Sequence, residues 1–288
     1  MKLKSFLLIC FSMFFVVSTV QAATTISISV NGTTVKTDVA PFIENGTTYV
    51  PLRSVEQIEG LSIKSWNNKT KTLIISDPSK SMTFRVNNQS QSDSPLIKNN
   101  RVMVPIRFIA RNFSSDVAWN AYTKTVHVAK INDKEKANLK SEDITESRIA
   151  AINIPIISTL KELTAGESSA GYFQLMFPEG ESKNFFTIQN GIINHYQVKE
   201  NAAWLTWSGI IGGNKNTNTF WVTNTDISSE VGQRPTSKDR LFFYNISEHS
   251  GQSQHGYIST NGEKTILGSK DMNSLNDLYP IPEEELKH

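Results

Sequence analysis

Apolar and polar positions alternate through Ile26–Val30, a period-two strand, and Asn31-Gly32 behind it is a turn signal. A second short strand is predicted around Thr47–Val50. Pro51 follows, in the position where the first turn of a helix tolerates proline. Leu52, Val55 and Ile58 stand three apart and Gly60 is a stop signal, so a short helix is predicted between them. A hairpin comes next, turning at Asn67-Asn68-Lys69, with its last strand at Thr72–Ile75.

The same order of signals then recurs about 54 residues on. Copy one spans residues 26–76 and copy two residues 82–130. Pro41, Ile43, Asn45, Val50, Pro51 and Arg53 recur as Pro95, Ile97, Asn99, Val104, Pro105 and Arg107. After a one-residue deletion, Trp66, Asn67, Thr70, Lys71 and Thr72 recur as Trp119, Asn120, Thr123, Lys124 and Thr125. Copy two carries the helical stripe more fully, at Ile106, Ile109, Ala110 and Phe113. One copy is about four strands and one helix, so the fold class predicted for residues 23–130 is α+β, antiparallel strands packed on helices.

The stretch VNGTTVKTDVAPFIENGTTYVPLRSVEQIEG…WNNKTKTLIIS and its partner LIKNNRVMVPIRFIARNF…WNAYTKTVHVAK resemble the copper amine oxidase N-terminal, or stalk, domain. That module is common in secreted and envelope proteins of Gram-positive bacteria. The resemblance covers roughly residues 26–130 and implies a small antiparallel sheet wrapped on helices. It implies no catalysis, because in the oxidases the stalk is distinct from the domain that holds copper and the quinone. The chain also lacks what oxidase chemistry needs. Asn194-His195-Tyr196 and Tyr244-Asn245-Ile246 are wrong in order or spacing for the modified tyrosine, and the five histidines include no His-x-His pair. No cofactor and no metal are expected.

Residues 131–148 carry charges of both signs and few large apolar side chains, and are read as a solvated linker with some helix at Lys134–Leu139. From Ile149 apolar and aromatic clusters return, at Phe173–Phe177, Phe185–Ile188, Ala203–Trp207, Phe220–Val222 and Leu241–Ile246. Turn signals such as Asn190-Gly191 and Asn261-Gly262 separate them, so a mainly β domain is predicted for residues 149–288. Ile156–Leu163 is read as a short entry helix. The tail from Pro280, with Glu283-Glu284-Glu285, is read as a frayed, solubilising end.

The head of the chain reads as a secretory signal, residues 1–22. Lys2 and Lys4 form a positive n-region, Phe6–Val17 an apolar run, and Val20-Gln21-Ala22 a cleavage site. The run is short of the roughly twenty residues of a membrane span, so no transmembrane span is expected after cleavage. Cleavage also removes Cys10, the only cysteine, leaving no disulfide and no thiolate chemistry. Within a chain of 288 residues and formal charge +2, charge is unevenly spread. Residues 23–130 carry 13 basic and 7 acidic side chains, net +6, and the remainder 14 and 20, net −6. Two domains of different electrostatic character fit this split, and the small total argues against nucleic acid as a partner.

Few constellations carry chemistry. Gly166-Glu167-Ser168-Ser169-Ala170 approaches a nucleophile elbow but has alanine where the last glycine belongs. His195, His255 and His249 match no metal-ligand spacing, and His127 reads as a packing position. Glu179, Glu181, Glu200, Asp226, Glu230 and Asp239 are acids near loops from which no pair stands out. Trp204, Trp207 and Trp221 form a candidate sugar-stacking platform. Trp204 and Trp207 are an odd number apart, so a regular strand sends them to opposite faces. Arg53 and Arg107 follow the helix-starting proline in both copies and are candidate wall contacts or structural joints. The function expected is that of a secreted or envelope-associated non-enzymatic protein. A stalk module would display or tether a β-rich domain that binds a ligand or partner: cell-wall polymer, carbohydrate or an envelope protein. The alternative is a cell-wall-acting hydrolase with its site in residues 149–288.

Overall fold

In a computed structural model the described residues are 25–87, 93–165, 172–212, 226–247, 252–272 and 274–284. The signal-peptide reading, Trp221, His249 and the elbow-like stretch at Gly166–Ala170 lie outside them.

Copy one gives β1 (Ser27–Val30), β2 (Thr33–Thr34), β3 (Phe42–Glu44), β4 (Thr47–Pro51), a 3₁₀ turn (Leu52–Gln57), β5 (Ser62–Asn67) and β6 (Thr72–Ser76). Copy two gives β7 (Ser81–Arg85), β8 (Leu96–Lys98), β9 (Arg101–Pro105), α1 (Ile106–Asn112), β10 (Asp116–Asn120) and β11 (Thr125–Ala129). The first half is therefore mainly β, with a six-residue 3₁₀ segment and a seven-residue α-helix where two α-helices were expected. The spacing explains the difference. Apolar residues exactly three apart match the 3₁₀ period, whereas Ile106, Ile109, Ala110 and Phe113 match the α period and are all buried.

The copies exchange strands. β1 of copy one pairs in parallel with β11 of copy two, and β7 of copy two pairs with β6 of copy one. Between them β4 and β9 run antiparallel with Val50 opposite Val104, the same position of the repeat in each copy. A local pseudo-twofold thus passes through that pair. One core results, drawing Ile28, Val50, Val55 and Leu73 from copy one and Val104, Ile109, Phe113 and Val126 from copy two. The hairpin β3–β4 turns on Asn45 (φ 51°) and Gly46 (φ 71°), and β8–β9 on Asn99 (φ 50°) and Asn100 (φ 57°). Two successive left-handed residues make the tight hairpin turn that Asn-Gly favours. The recurring Asn67 and Asn120 each accept two backbone N–H bonds from the turn behind them, at 3.0 and 3.1 Å and at 2.9 and 3.1 Å.

The segment read as a solvated linker is folded. Helices α2 (Asp133–Asn138) and α3 (Ile144–Asn153) occupy it, α2 opening on a reciprocal cap between Asn132 and Glu135. Ile131, Leu139 and Arg148 are buried. The residues read as an entry helix open instead with a strand, β12 (Ile156–Ser158), lying parallel to β16. The remaining strands are β13 (Tyr172–Pro178), β14 (Asn184–Gln189), β15 (Ile192–Lys199), β16 (Ala202–Ile211), β17 (Ile227–Gly232), β18 (Leu241–Ser247), β19 (Gln252–Ile258) and β20 (Lys264–Asp271). With β12 they make a nine-stranded sheet of order β12-β16-β15-β14-β13-β18-β19-β20, with β17 also on β16. One face packs under α3 and the tail through Leu175, Phe177, Phe242, Tyr244, Leu278 and Tyr279. The other buries Met176, Phe186, Ile193, Trp207, Leu241 and Phe243. Among the described residues no helix is long and apolar enough to cross a membrane.

The tail corrects another expectation. Ile281 is buried, and Glu284 is 3% exposed against Arg148 at 1%. The guanidinium donates to both carboxylate oxygens, at 2.7 and 2.5 Å, and its Nε donates to the Glu181 carbonyl at 2.9 Å. Burying either charge alone is costly, so the pair ties the segment before the sheet to the end of the chain.

Candidate functional site: two arginine clefts and a tryptophan joint

Both repeat arginines are exposed, each two residues past a buried proline that ends a strand. Copy two's Arg107 and Arg111 are one helical turn apart on α1 and line a cleft of about 420 Å³. Trp119 of β10 forms part of its wall, and the Asn45-Gly46 turn of copy one forms another part. The pseudo-equivalent cleft, about 300 Å³, sets Arg53 and Trp66 of copy one beside Asn100 and Arg101 from the turn of copy two. Each cleft therefore needs both copies. They differ in charge. Arg101 closes an ion pair with Asp38 at 2.8 Å, and its hydrogen bond holds the Asp38 carboxyl below the usual carboxylate range. Arg107 and Arg111 make no ion pair among the described residues. Trp66 and Trp119 are half-buried, each with one side on the shared core.

Of the three candidate platform tryptophans, Trp221 lies outside the described residues, and Trp204 and Trp207 each have packing partners. Trp207 is fully buried; its indole N–H donates to Glu230 at 2.8 Å, and Arg234, paired with Glu230 at 2.7 Å, lies over its ring. Trp204 packs on Ala118, Ala129, Ile157 and Ala202, where the first half meets the sheet. The alternation along β16 is also interrupted. His195 faces Trp207, but Tyr196 faces Leu205, so Thr206 is an extra residue, a bulge. The bulge shifts the alternation by one and puts Trp204 on the same face as Trp207. Thr206 fills its place with side-chain bonds: its Oγ1 is 2.6 Å from His195 Nδ1 and donates to the His195 carbonyl at 3.3 Å. Gly232 allows the neighbouring strand to approach, since a Cβ there would lie 2.3 Å from the Thr206 carbonyl oxygen.

The joint around Trp204 is also polar, and the sequence reading missed it. Asn201 donates to the Ser114 carbonyl at 3.1 Å, accepts from the Ile131 amide at 3.3 Å, and its own amide donates to Asp116 at 2.9 Å. Asn120, the repeat's turn asparagine, uses its side-chain amide to hold the Ser158 and Leu160 carbonyls, both at 3.1 Å. Asn67 has the same place in copy one, where its exposed turn has no such neighbour. Duplication marked Asn120 as a turn residue but gave no sign of this second use.

Several of the remaining candidates have structural partners. Glu179 pairs with Arg240, and Glu181 accepts from Asn184 at 3.1 Å. Arg234 and then the Trp207 N–H draw the Glu230 carboxyl below its usual range. Burial pulls His195 down to about 4, which keeps it neutral, and burial also lowers His127. His255 Nδ1 lies 2.9 Å from the Tyr279 hydroxyl. Among the described residues no three His, Cys, Asp or Glu side chains converge as a metal site would require.

Residues 29–92 and 85–157 each match the family described as the copper amine oxidase N-terminal domain. The second match runs past Lys130 through α2 and α3, so the segment read as a linker falls within the family's pattern. No curated protein and no solved structure matches the chain.

Proposed function

We propose, for a chain whose first half is a tandem of copper amine oxidase N-terminal domains, that it is an exported, non-enzymatic binding protein of the cell envelope. In this reading the tandem grips an anionic wall polymer, and the nine-stranded sheet is carried on it as a docked extension. The observation that carries the reading is the cleft of Arg107, Arg111 and Trp119. Two guanidinium groups at i and i+4 repel one another, and Arg107 sits at the helix end where the dipole disfavours a cation. Arg111 in the last turn complements the helix dipole, but Arg107 gains nothing from it, and the cleft, which Asp93 also lines, leaves room for a further acidic group beside the two guanidinium groups. The half-buried indole beside them offers a ring face on which a sugar can stack. The net +6 of residues 23–130 supplies long-range attraction with the same sign.

Exposed charge pairs contribute about 0–1 kcal/mol each, so the interaction is weak per contact and gains from repetition along a polymer. The test is cosedimentation of the full mature chain with Gram-positive cell walls. Binding is expected at low salt and lost near 1 M salt, where the Debye length is about 3 Å. The double variant Arg107→Ala, Arg111→Ala should bind up to about thirtyfold more weakly, from two lost pairs at that scale. Binding indifferent to both salt and the double variant would refute the reading.

A further inference from the structure

A third opening lies on the far side of Arg53 in copy one. It encloses about 400 Å³ and its wall includes Ser54. Ser54 is 4% exposed, and its hydroxyl has no hydrogen-bond partner, a condition that buried polar groups rarely keep without a ligand or water. The matching position of copy two is Phe108, whose ring packs edge-on against Phe84 at 5.9 Å between centroids. Copy one carries a hydroxyl where copy two carries that ring.

We infer that this pocket binds an acidic monosaccharide unit, a pyranose ring carrying one carboxylate. The proposal rests on the polymer-binding reading and names the unit recognised. Volume is the first argument, since small-molecule pockets begin at about 300 Å³. Charge is the second. Arg53 and Lys36 line the pocket and neither is in an ion pair among the described residues. The acid that shares the pocket, Asp38, is already engaged by Arg101 at 2.8 Å. Arg53 adds Coulombic attraction to Asp38 but forms no ion pair with it, so both cations can take a carboxylate, Arg53 in the forked geometry that favours it. Polarity is the third. Thr33, Thr37 and Gln57 offer donors and acceptors for ring hydroxyls, while Val30 and Pro51 in the same wall offer apolar contact for the ring's C–H face.

The experiment is an NMR titration of the full mature chain with sodium glucuronate, with glucose and sodium acetate in parallel. Saturable shifts at residues of the pocket are expected with glucuronate, and binding about tenfold or more weaker with glucose and with acetate, each lacking one half of the recognition. Ser54→Phe should abolish binding by placing a ring in the pocket wall. Arg53→Ala, an exposed change, should weaken binding about tenfold, the loss of one charge-assisted pair, whether or not Ser54→Phe folds. Acetate binding as tightly as glucuronate, or glucuronate binding unaffected by Arg53→Ala, would overturn the proposal. If glucuronate fails to bind while salt-sensitive wall sedimentation persists, the pocket is refuted and the wall reading stands; if both fail, both are refuted.

Discussion

Replacing Glu284 by glutamine should be among the most damaging single changes in this chain, although the residue sits in the acidic run Glu283-Glu284-Glu285. Three hydrogen bonds converge on that carboxylate: two from Arg148 and one from the Gly180 amide at 2.8 Å. Arg148 also stacks its guanidinium over Phe177, 4.5 Å from the ring centroid, in the middle of the apolar face. The amide of Glu284→Gln has no charge, and one of its two acceptor atoms has become a donor aimed at other donors. Arg148 would remain buried and charged, left with neutral acceptors such as the Glu181 carbonyl and the one remaining amide oxygen. Breaking a buried pair from one side costs about 3–5 kcal/mol. With a urea slope of about 1–3 kcal/mol/M, the unfolding midpoint should fall by more than about 1 M. Tyrosine and tryptophan fluorescence on both faces of the sheet will follow the transition. Two controls separate burial from simple loss of attraction. The double variant Arg148→Met, Glu284→Leu should recover most of the loss, since apolar replacements of similar volume need no desolvation. Added salt should not rescue Glu284→Gln, because a pair at 1% and 3% exposure is poorly screened. A cost below about 1 kcal/mol, the range of a surface pair, would refute the reasoning.

Asn201→Ala should cost about 1–3 kcal/mol, because it strands the Ile131 amide and the Ser114 carbonyl at the joint; hydrogen exchange at Ile131 and across β10 will register it. A fragment ending at Asp77 should stay unfolded by circular dichroism, since β1 and β4 lose their partners β11 and β9. Below neutral pH, stability should fall between about 6.5 and about 4. The unfolded chain takes up the His195 proton first, and His195→Gln should flatten that part of the pH–stability curve. A separate loss is expected from pH 4 down to about 2. There burial pushes Asp77 up, but hydrogen bonds from Ser79, Lys80 and Lys130 outweigh it and hold it at about 2. Its contribution is complete above the unfolded value and is lost as pH falls through the folded one, so Asp77→Asn should remove this acid-side step.

Local and repeated information was legible in the sequence. Duplication identified the tandem, and Asn-Gly steps such as Asn31-Gly32 and Asn190-Gly191 marked turns because left-handed backbone is a property of the residues themselves. The apolar stripe of copy two predicted α1, and its buried positions are those of the stripe. Composition alone separated a β-rich second half from the module before it. What the chain did not reveal depends on partners distant in sequence. Arg148 among mixed charges and Glu284 in an acidic run each read as solvated, and only together, 136 residues apart, can they be buried. The bulge at Thr206 reversed the facing of Trp204 through a bond to His195 on the next strand, which alternation cannot encode. The clefts of Arg53 and Arg107 take a turn from one copy and an arginine and tryptophan from the other, so neither exists in a single repeat. Residue type fixes a local conformation within a few positions. Burial, facing and charge compensation are decided when separate segments meet, and in this protein the joint, the clefts and the tail latch all belong to that second class.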